Sequence, residues 1–218
     1  MKLTKNHIEI IDNHLKSLGI KYWDIRIEMI DHIATDIEQN AESDDFTIEL
    51  KNSLNHLGWL GNLSYLNTKG WKDTNDFYRK KYFNQIIDFL KKPKIFLLTA
   101  FFVFVNILLS NFLSFKSFKI VQMVFFILPI LPLFYYWIKN AFKKYGRSVH
   151  LDYGILYSSF SILMVNLPLY FIDAFDVIIQ KIIILTIMPI YLLASYSGFL
   201  LYKSAIKKVE TMKKELSL

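Results

Sequence analysis

An all-α fold in two parts, a small helical head followed by a four-helix transmembrane bundle, is predicted by three features of this sequence. Four apolar stretches, 95–115, 118–138, 153–172 and 182–202, each run for about 20 residues, the length a helix needs to cross ~30 Å of hydrocarbon. Residues 1–94 hold no such stretch and instead repeat apolar positions at helical spacing. Charge divides the chain at the same place. Residues 1–94 carry 14 Lys plus Arg against 14 Asp plus Glu, residues 95–218 carry 12 against 5, and the whole formal charge of +7 therefore lies in the membrane part.

The head, residues 1–66, reads as three amphipathic helices. Ile8, Ile11, Leu15 and Leu18 form one apolar stripe, with Gly19 as its stop. A second helix over 22–39 points Met29, Ile30, Ile33 and Ile37 inward, and the polar run 40–45 ends it. Phe46, Leu50, Leu54 and Leu57 mark a third, closed by Gly58. A core of this size is marginal in isolation, so the head is expected to lean on something else.

Residues 67–94 are read as a connector and a juxtamembrane amphipathic helix. The stretch 58–72 is irregular in pattern, and Asp73, Thr74 or Asn75 can cap a new helix carrying Phe77, Tyr78, Tyr82, Phe83, Ile86, Phe89 and Leu90. Its aromatic rings alternate with Arg79, Lys80 and Lys81, and Lys91, Lys92 and Lys94 follow. That composition suits the membrane interface, where rings sit at headgroup depth and lysines meet anionic lipid, so Tyr78, Tyr82 and these basic residues are the expected interfacial anchors.

Orientation follows from the basic residues beside the spans. Lys91, Lys92 and Lys94 precede the first; Lys139, Lys143, Lys144 and Arg147 fill the second connection; Lys203, Lys207, Lys208, Lys213 and Lys214 follow the last. The opposite side has Lys116, Lys119 and Lys181. Both ends are therefore expected in the cytoplasm of a bacterial plasma (inner) membrane, a bacterial source being the reading of a composition rich in Lys, Asn, Ile and Phe. The first residues lack an unbroken apolar core, so no cleaved signal peptide is expected. The basic pI is explained by these loops, and the neutral head lacks the footprint of direct nucleic-acid binding. With no cysteine, disulfides and thiolate chemistry are excluded.

The densest polar cluster lies on the second helix, Glu28, Asp31, His32 and Asp36, with Arg26 as a local ion-pair partner. Glu28, His32 and Asp36 share one face, a spacing that can grip a metal ion, but a solvated or protein-binding face with local ion pairs accounts for it as well, and the expectation is a protein-interaction surface with no metal, no cofactor and no catalytic site. The order of a helix, a tight break, these residues on a second helix, the acidic linker 42–45 and a third helix ending in Leu57-Gly58 resembles the HAAS domain, over roughly residues 5–66. This chain has Leu18-Gly19-Ile20 where that family usually has Leu-Pro. HAAS domains are small bacterial helical modules that precede membrane helices and are often encoded beside PadR-type transcriptional regulators. The resemblance implies a regulatory or scaffolding membrane protein that is not an enzyme, whose head meets a cytoplasmic protein such as a transcriptional regulator.

Inside the spans, Asn106, Gln122 and Asn166 are candidates for hydrogen bonds between helices, and Ser195, Ser197, Gly198 and Ala194 for close helix packing. His150 and Asp152 read as boundary residues. Pro129, Pro132, Pro168 and Pro189 are expected to kink three of the four spans, which supports the alternative class, a small transporter or channel subunit. The absence of an ionisable side chain at mid-depth counts against proton coupling. Oligomeric state is not encoded in these patterns.

Overall fold

The computed structural model describes residues 1–61 and 63–216, the side chains of residues 63–66, 167, 215 and 216 excepted. Among the described residues the secondary structure is helical throughout: α1 Lys5–Ser17, α2 Trp23–Asn40, α3 Phe46–His56, α4 Leu63–Lys91, α5 Pro93–Phe112, α6 Phe115–Ile127, α7 Ile130–Ala141, α8 Val149–Tyr170, a 3-10 turn Ile172–Ala174, and α9 Val177–Leu216. Four segments, Pro93–Phe112, Phe115–Ala141, Val149–Ala174 and Val177–Lys214, are long and apolar enough to cross a membrane.

The chain divides into two compact units. One, the head, comprises Met1–Asp76, Tyr145–Asp152 and Lys208–Leu218; the other, the membrane unit, comprises Phe77–Lys144 and Tyr153–Lys207.

In the head, Ile11 and Leu15 of α1, Met29, Ile33 and Ile37 of α2, and Leu50 and Leu54 of α3 are buried. Leu18, expected in the stripe, is exposed, and Ile20 is buried in its place. The reason is the stop itself. Gly19 takes φ +89°, its amide donates to Lys16 and that of Ile20 to Leu15, so the chain turns back and brings Ile20 rather than Leu18 to the core. Gly58 (φ +66°) ends α3 in the same way, with Gly58 donating to Asn55 and Trp59 to Leu54. Asp45 starts α3 by accepting from the amides of Thr47 and Ile48.

The expected irregular stretch before Asp73 is not found: α4 is one helix from Leu63, and Asp73, Thr74 and Asn75 lie inside it. Gly70, the apparent breaker, lies against α2, where an added Cβ would come 3.3 Å from Ile25 Cδ1. Its lack of a side chain permits close packing and does not end the helix.

In the membrane unit the second half of α4 packs as a further helix. Tyr78 and Tyr82 form a buried cluster with Tyr157, Ala194, Leu201 and Ala205. A second cluster unites Phe118, Val165, Ile172, Ile184, Met188 and Tyr191. Close approach of α8 and α9 depends on small residues, as their spacing predicts: a Cβ on Gly198 would fall 2.8 Å from the Tyr157 carbonyl oxygen, and one on Gly154 2.7 Å from Ala205 Cβ. Of the four prolines, Pro129 stands at the break between α6 and α7, Pro132 lies in the first turn of α7, and α8 and α9 run on through Pro168 and Pro189.

Candidate functional site

The first turn of α2 is where the head gathers its most buried polar contacts. Helix α8 begins at Val149, and its leading amides, as at every helix start, need partners from outside the regular helical bonding pattern. Ser148 covers one by accepting from the Leu151 amide at 3.3 Å. The His150 amide instead donates to the Asp24 carboxylate at 3.1 Å, and the Ser148 hydroxyl donates to the same oxygen at 2.6 Å. Asp24 is 2% exposed. A carboxylate 124 residues away in sequence thus completes the N-cap of α8, where the helix dipole favours a negative charge.

Neighbouring groups extend this clamp. The Trp23 amide donates to the Arg147 carbonyl at 3.2 Å, and the Tyr22 hydroxyl to Asp152 at 3.0 Å. Burial, and then the hydrogen bond to Asp152, raise the Tyr22 hydroxyl above its ordinary pKa, which keeps it a donor. The Tyr145 hydroxyl donates to Glu210 near the end of α9 at 2.6 Å. Lys213 lies 5.7 Å from the Trp23 ring centre and 5.8 Å from that of Tyr145. Gly146 (φ +75°) lets the loop pass Trp23, whose ring carbon would sit 3.4 Å from a Cβ there. The clamp joins α2 to both the 145–152 loop and the 208–214 tail.

The expected interaction residues separate into two groups. Glu28, Asp31 and His32 are exposed on α2, His32 with its ring edge-on to Trp59 at 6.1 Å. Arg26, expected among the interaction residues, is 8% exposed and turned into the head: it donates to Asp12 at 2.6 Å and to the Ile20 carbonyl at 2.9 Å, tying α1 and its glycine stop to α2. Burial would raise the Asp12 carboxyl, but bonds from Lys16 and Arg26 outweigh it and hold the group below its ordinary pKa. Asp36 borders a polar cleft of about 690 Å³ with Glu42, Glu49, Ser53 and His56. It accepts from Asn40 at 2.8 Å and meets His56 at 3.3 Å. Burial pulls its pKa upward, while the polar groups of Ser53, Asn40 and His56 bring it below the ordinary value. Among the described residues no group of three or more His, Asp or Glu is arranged to hold a metal ion.

The expected interfacial position of Tyr78 and Tyr82 gives way to burial, at 2% and 1% exposure. Small residues on α9 make room for α4. The Ser197 hydroxyl is 3.1 Å from the Tyr82 carbonyl and 3.1 Å from Gln85, and Lys81 donates to Ser204 at 2.9 Å. On the same helix Phe77, Arg79, Lys80, Phe83, Ile87, Leu90 and Lys91 are exposed, as are Lys92 and Lys94 just beyond it.

Sequence reasoning passed over Trp23, Asp24, Tyr145, Ser148 and Glu210, and read Tyr22 only as a helix start and Lys213 only as an orientation signal. One signal was present: Ser148 directly before Val149 is a standard N-cap placement, which starts α8 earlier than 153. The chain matches no family model, no curated protein and no solved structure.

Proposed function

We propose that this is a regulatory or scaffolding protein of a bacterial plasma membrane, with both termini in the cytoplasm and a head that docks a cytoplasmic protein. The observation that carries the reading is the division of labour on α2. One end of the helix is engaged by the clamp, and its core face by α1 and α3, while Glu28, Asp31 and His32 stay at the surface. A solvated acidic face on an otherwise committed helix suits a partner with basic side chains. The arrangement resembling HAAS domains points to the same class, and a transcriptional regulator is the kind of partner that resemblance implies. The lysines beside the spans support the orientation.

Because α2 holds the loop that starts α8, a partner that displaced α2 would alter the N-cap of a membrane helix. This gives a head-bound protein a physical route to the spans, or the spans a route to it. The test is a photo-crosslinking side chain placed at Asp31 of the full-length protein in its native membrane, with a second at Lys51 on α3 as control. A cytoplasmic protein captured from position 31, and lost on E28K/D31K, supports the proposal. Equal capture from both positions, or no cytoplasmic protein from either, overturns it.

The second reading, a small transporter or channel subunit, draws on the break at Pro129 and the prolines inside α8 and α9. Solute flux in vesicles containing only this protein would favour it.

A further inference from the structure

In the membrane unit an apolar groove of about 620 Å³ runs between the first half of α5 and the middle of α9. Ile95, Leu98 and Val105 line one side, Pro189, Leu193 and Tyr196 the other. The Thr99 hydroxyl within it donates to the Ile95 carbonyl at 2.8 Å, so the groove meets its occupant with carbon. The contacts that fix α5 to its neighbours lie further along: Phe102 against Phe125, Asn106 with Gln122, and the Ser110 carbonyl with Lys181. Its first half is left apart from α9, with Leu98 and Phe101 more than 60% exposed.

Length and charge identify the occupant. From Ile95 to Val105 the helix rises about 15 Å, half of a ~30 Å hydrocarbon layer, so the groove has the depth of one leaflet. A ring contact links the groove to a charged rim: Tyr196 packs against Phe89 at 5.2 Å, and Lys92 lies 5.6 Å over the Phe89 ring. Lys91 and Lys94 flank Lys92 in sequence, and Asp88 pairs with Lys91 at 3.2 Å. This leaves Lys92 and Lys94 as the cations facing the leaflet surface. Lys92 is also the N-cap of α5 and makes no side-chain cap, so the first amides of α5 lie beside the same two lysines.

We propose that the groove holds one acyl chain of an anionic phospholipid, with its phosphate against Lys92, Lys94 and the first turn of α5. This is a defined lipid site, distinct from the general lipid surface of the spans, and it does not depend on what the head binds.

The experiment is native mass spectrometry of the full-length protein released from bilayers of equal phosphatidylglycerol and phosphatidylcholine. The expected result is one retained phosphatidylglycerol, preferred over phosphatidylcholine. K92Q and K94Q each lower that preference roughly five-fold, the worth of one surface lysine near an anionic leaflet. Leu193→Trp, which fills the groove, abolishes retention of the lipid. Both lysines are exposed, so K92Q/K94Q keeps the fold, and an unchanged melting temperature in detergent verifies it. Equal retention of the two lipids overturns the proposal, as does phosphatidylglycerol retention indifferent to the lysine pair. The chain has no cysteine, so a single Leu98→Cys also reports on a second copy. Efficient disulfide dimers in the bilayer would assign the groove to another protomer and overturn the lipid site.

Discussion

In the head, the buried polar set includes Asp24, Arg26, Glu49 and His150; in the membrane unit it consists of Asn106, Ser110, Gln122, Asn140, Ser158, Ser161, Gln180, Ser195 and Ser197. Among the described residues every buried acidic or basic side chain therefore belongs to the head, and the membrane unit buries amides and hydroxyls. The bonds they make differ accordingly. Head groups reach across the chain, Arg26 to Asp12 and Asp24 to Ser148 and His150. Those of the membrane unit are neutral and divide: Asn106, Asn140 and Ser158 bond to Phe102, Tyr136 and Ile155 on their own helix, while Ser161 meets Ser195 and Ser197 meets Tyr82 across helices. A charge costs about 2.5–3.5 kcal/mol or more at the centre of a bilayer, whereas a hydroxyl or amide can satisfy itself on the carbonyl one turn back. The head is thus specified by buried charges with long-range partners, the membrane unit by close fit and neutral polar bonds.

Breaking the fit should produce the largest effect. Gly198→Leu forces a side chain against the Tyr157 carbonyl and Ser158 Cα, both under 3 Å from its Cβ. Overpacking of this kind costs about 1–3 kcal/mol and often more; the expected result is a large drop in melting temperature in detergent and poor recovery of folded protein. A melting curve like that of the unmodified chain would mean that α8 and α9 pack otherwise.

Asp24→Ala tests the head's rule. It strands the Ser148 hydroxyl and the His150 amide, at a cost of about 1–3 kcal/mol. Hydrogen exchange should rise at His150 while amides around Ile184, in the membrane unit, keep their protection. Uniform protection would place the clamp outside the head's stability.

A smaller effect is expected at a buried polar pair that joins α5 to α6, the Gln122 amide donating to Asn106 at 2.6 Å. Asn106→Leu should lower stability by about 0.6–2 kcal/mol, and N106L/Q122L should recover part of that loss, since no partner is then left unpaired. A double variant weaker than the single one would show that the pair orders the helices beyond its own bond.

The smallest effect is on pH dependence. Because the Asp12 carboxyl is held below its ordinary value, its stabilising contribution is complete above that value and is lost as pH falls through the depressed one. Arg26→Gln should move the acid-side loss of head structure to higher pH, followed by circular dichroism. The same acid limb in both proteins would remove Asp12–Arg26 from the head's pH response.

Much of this architecture was legible from local pattern. The apolar stripes placed α1, α2 and α3, Gly19 and Gly58 marked real helix stops, and Asn106 and Gln122, each a candidate for a bond between helices, bond to each other. Asn166, the third candidate, is exposed instead. The candidate site was less legible. Arg26 was expected beside the cluster on α2 as an interaction residue, yet a charged side chain at the edge of an apolar stripe turns inward when a carboxylate such as Asp12 waits there. Tyr78 and Tyr82 matched an interfacial helix in composition, and composition is the same whether such rings meet lipid or a serine-rich neighbour.

What the chain specifies locally is where helices form and which segments are long and apolar enough to cross a membrane, because propensity, capping and hydrophobic length act over a few turns. What covers each face is decided only in three dimensions. That Gly70 admits Ile25, that α9 makes room for Tyr82, and that Asp24 caps a helix 124 residues further on are pairings between distant segments. Periodicity along one helix shows that a face is apolar or a terminus uncapped; the partner that answers it is set by which other helix packs there.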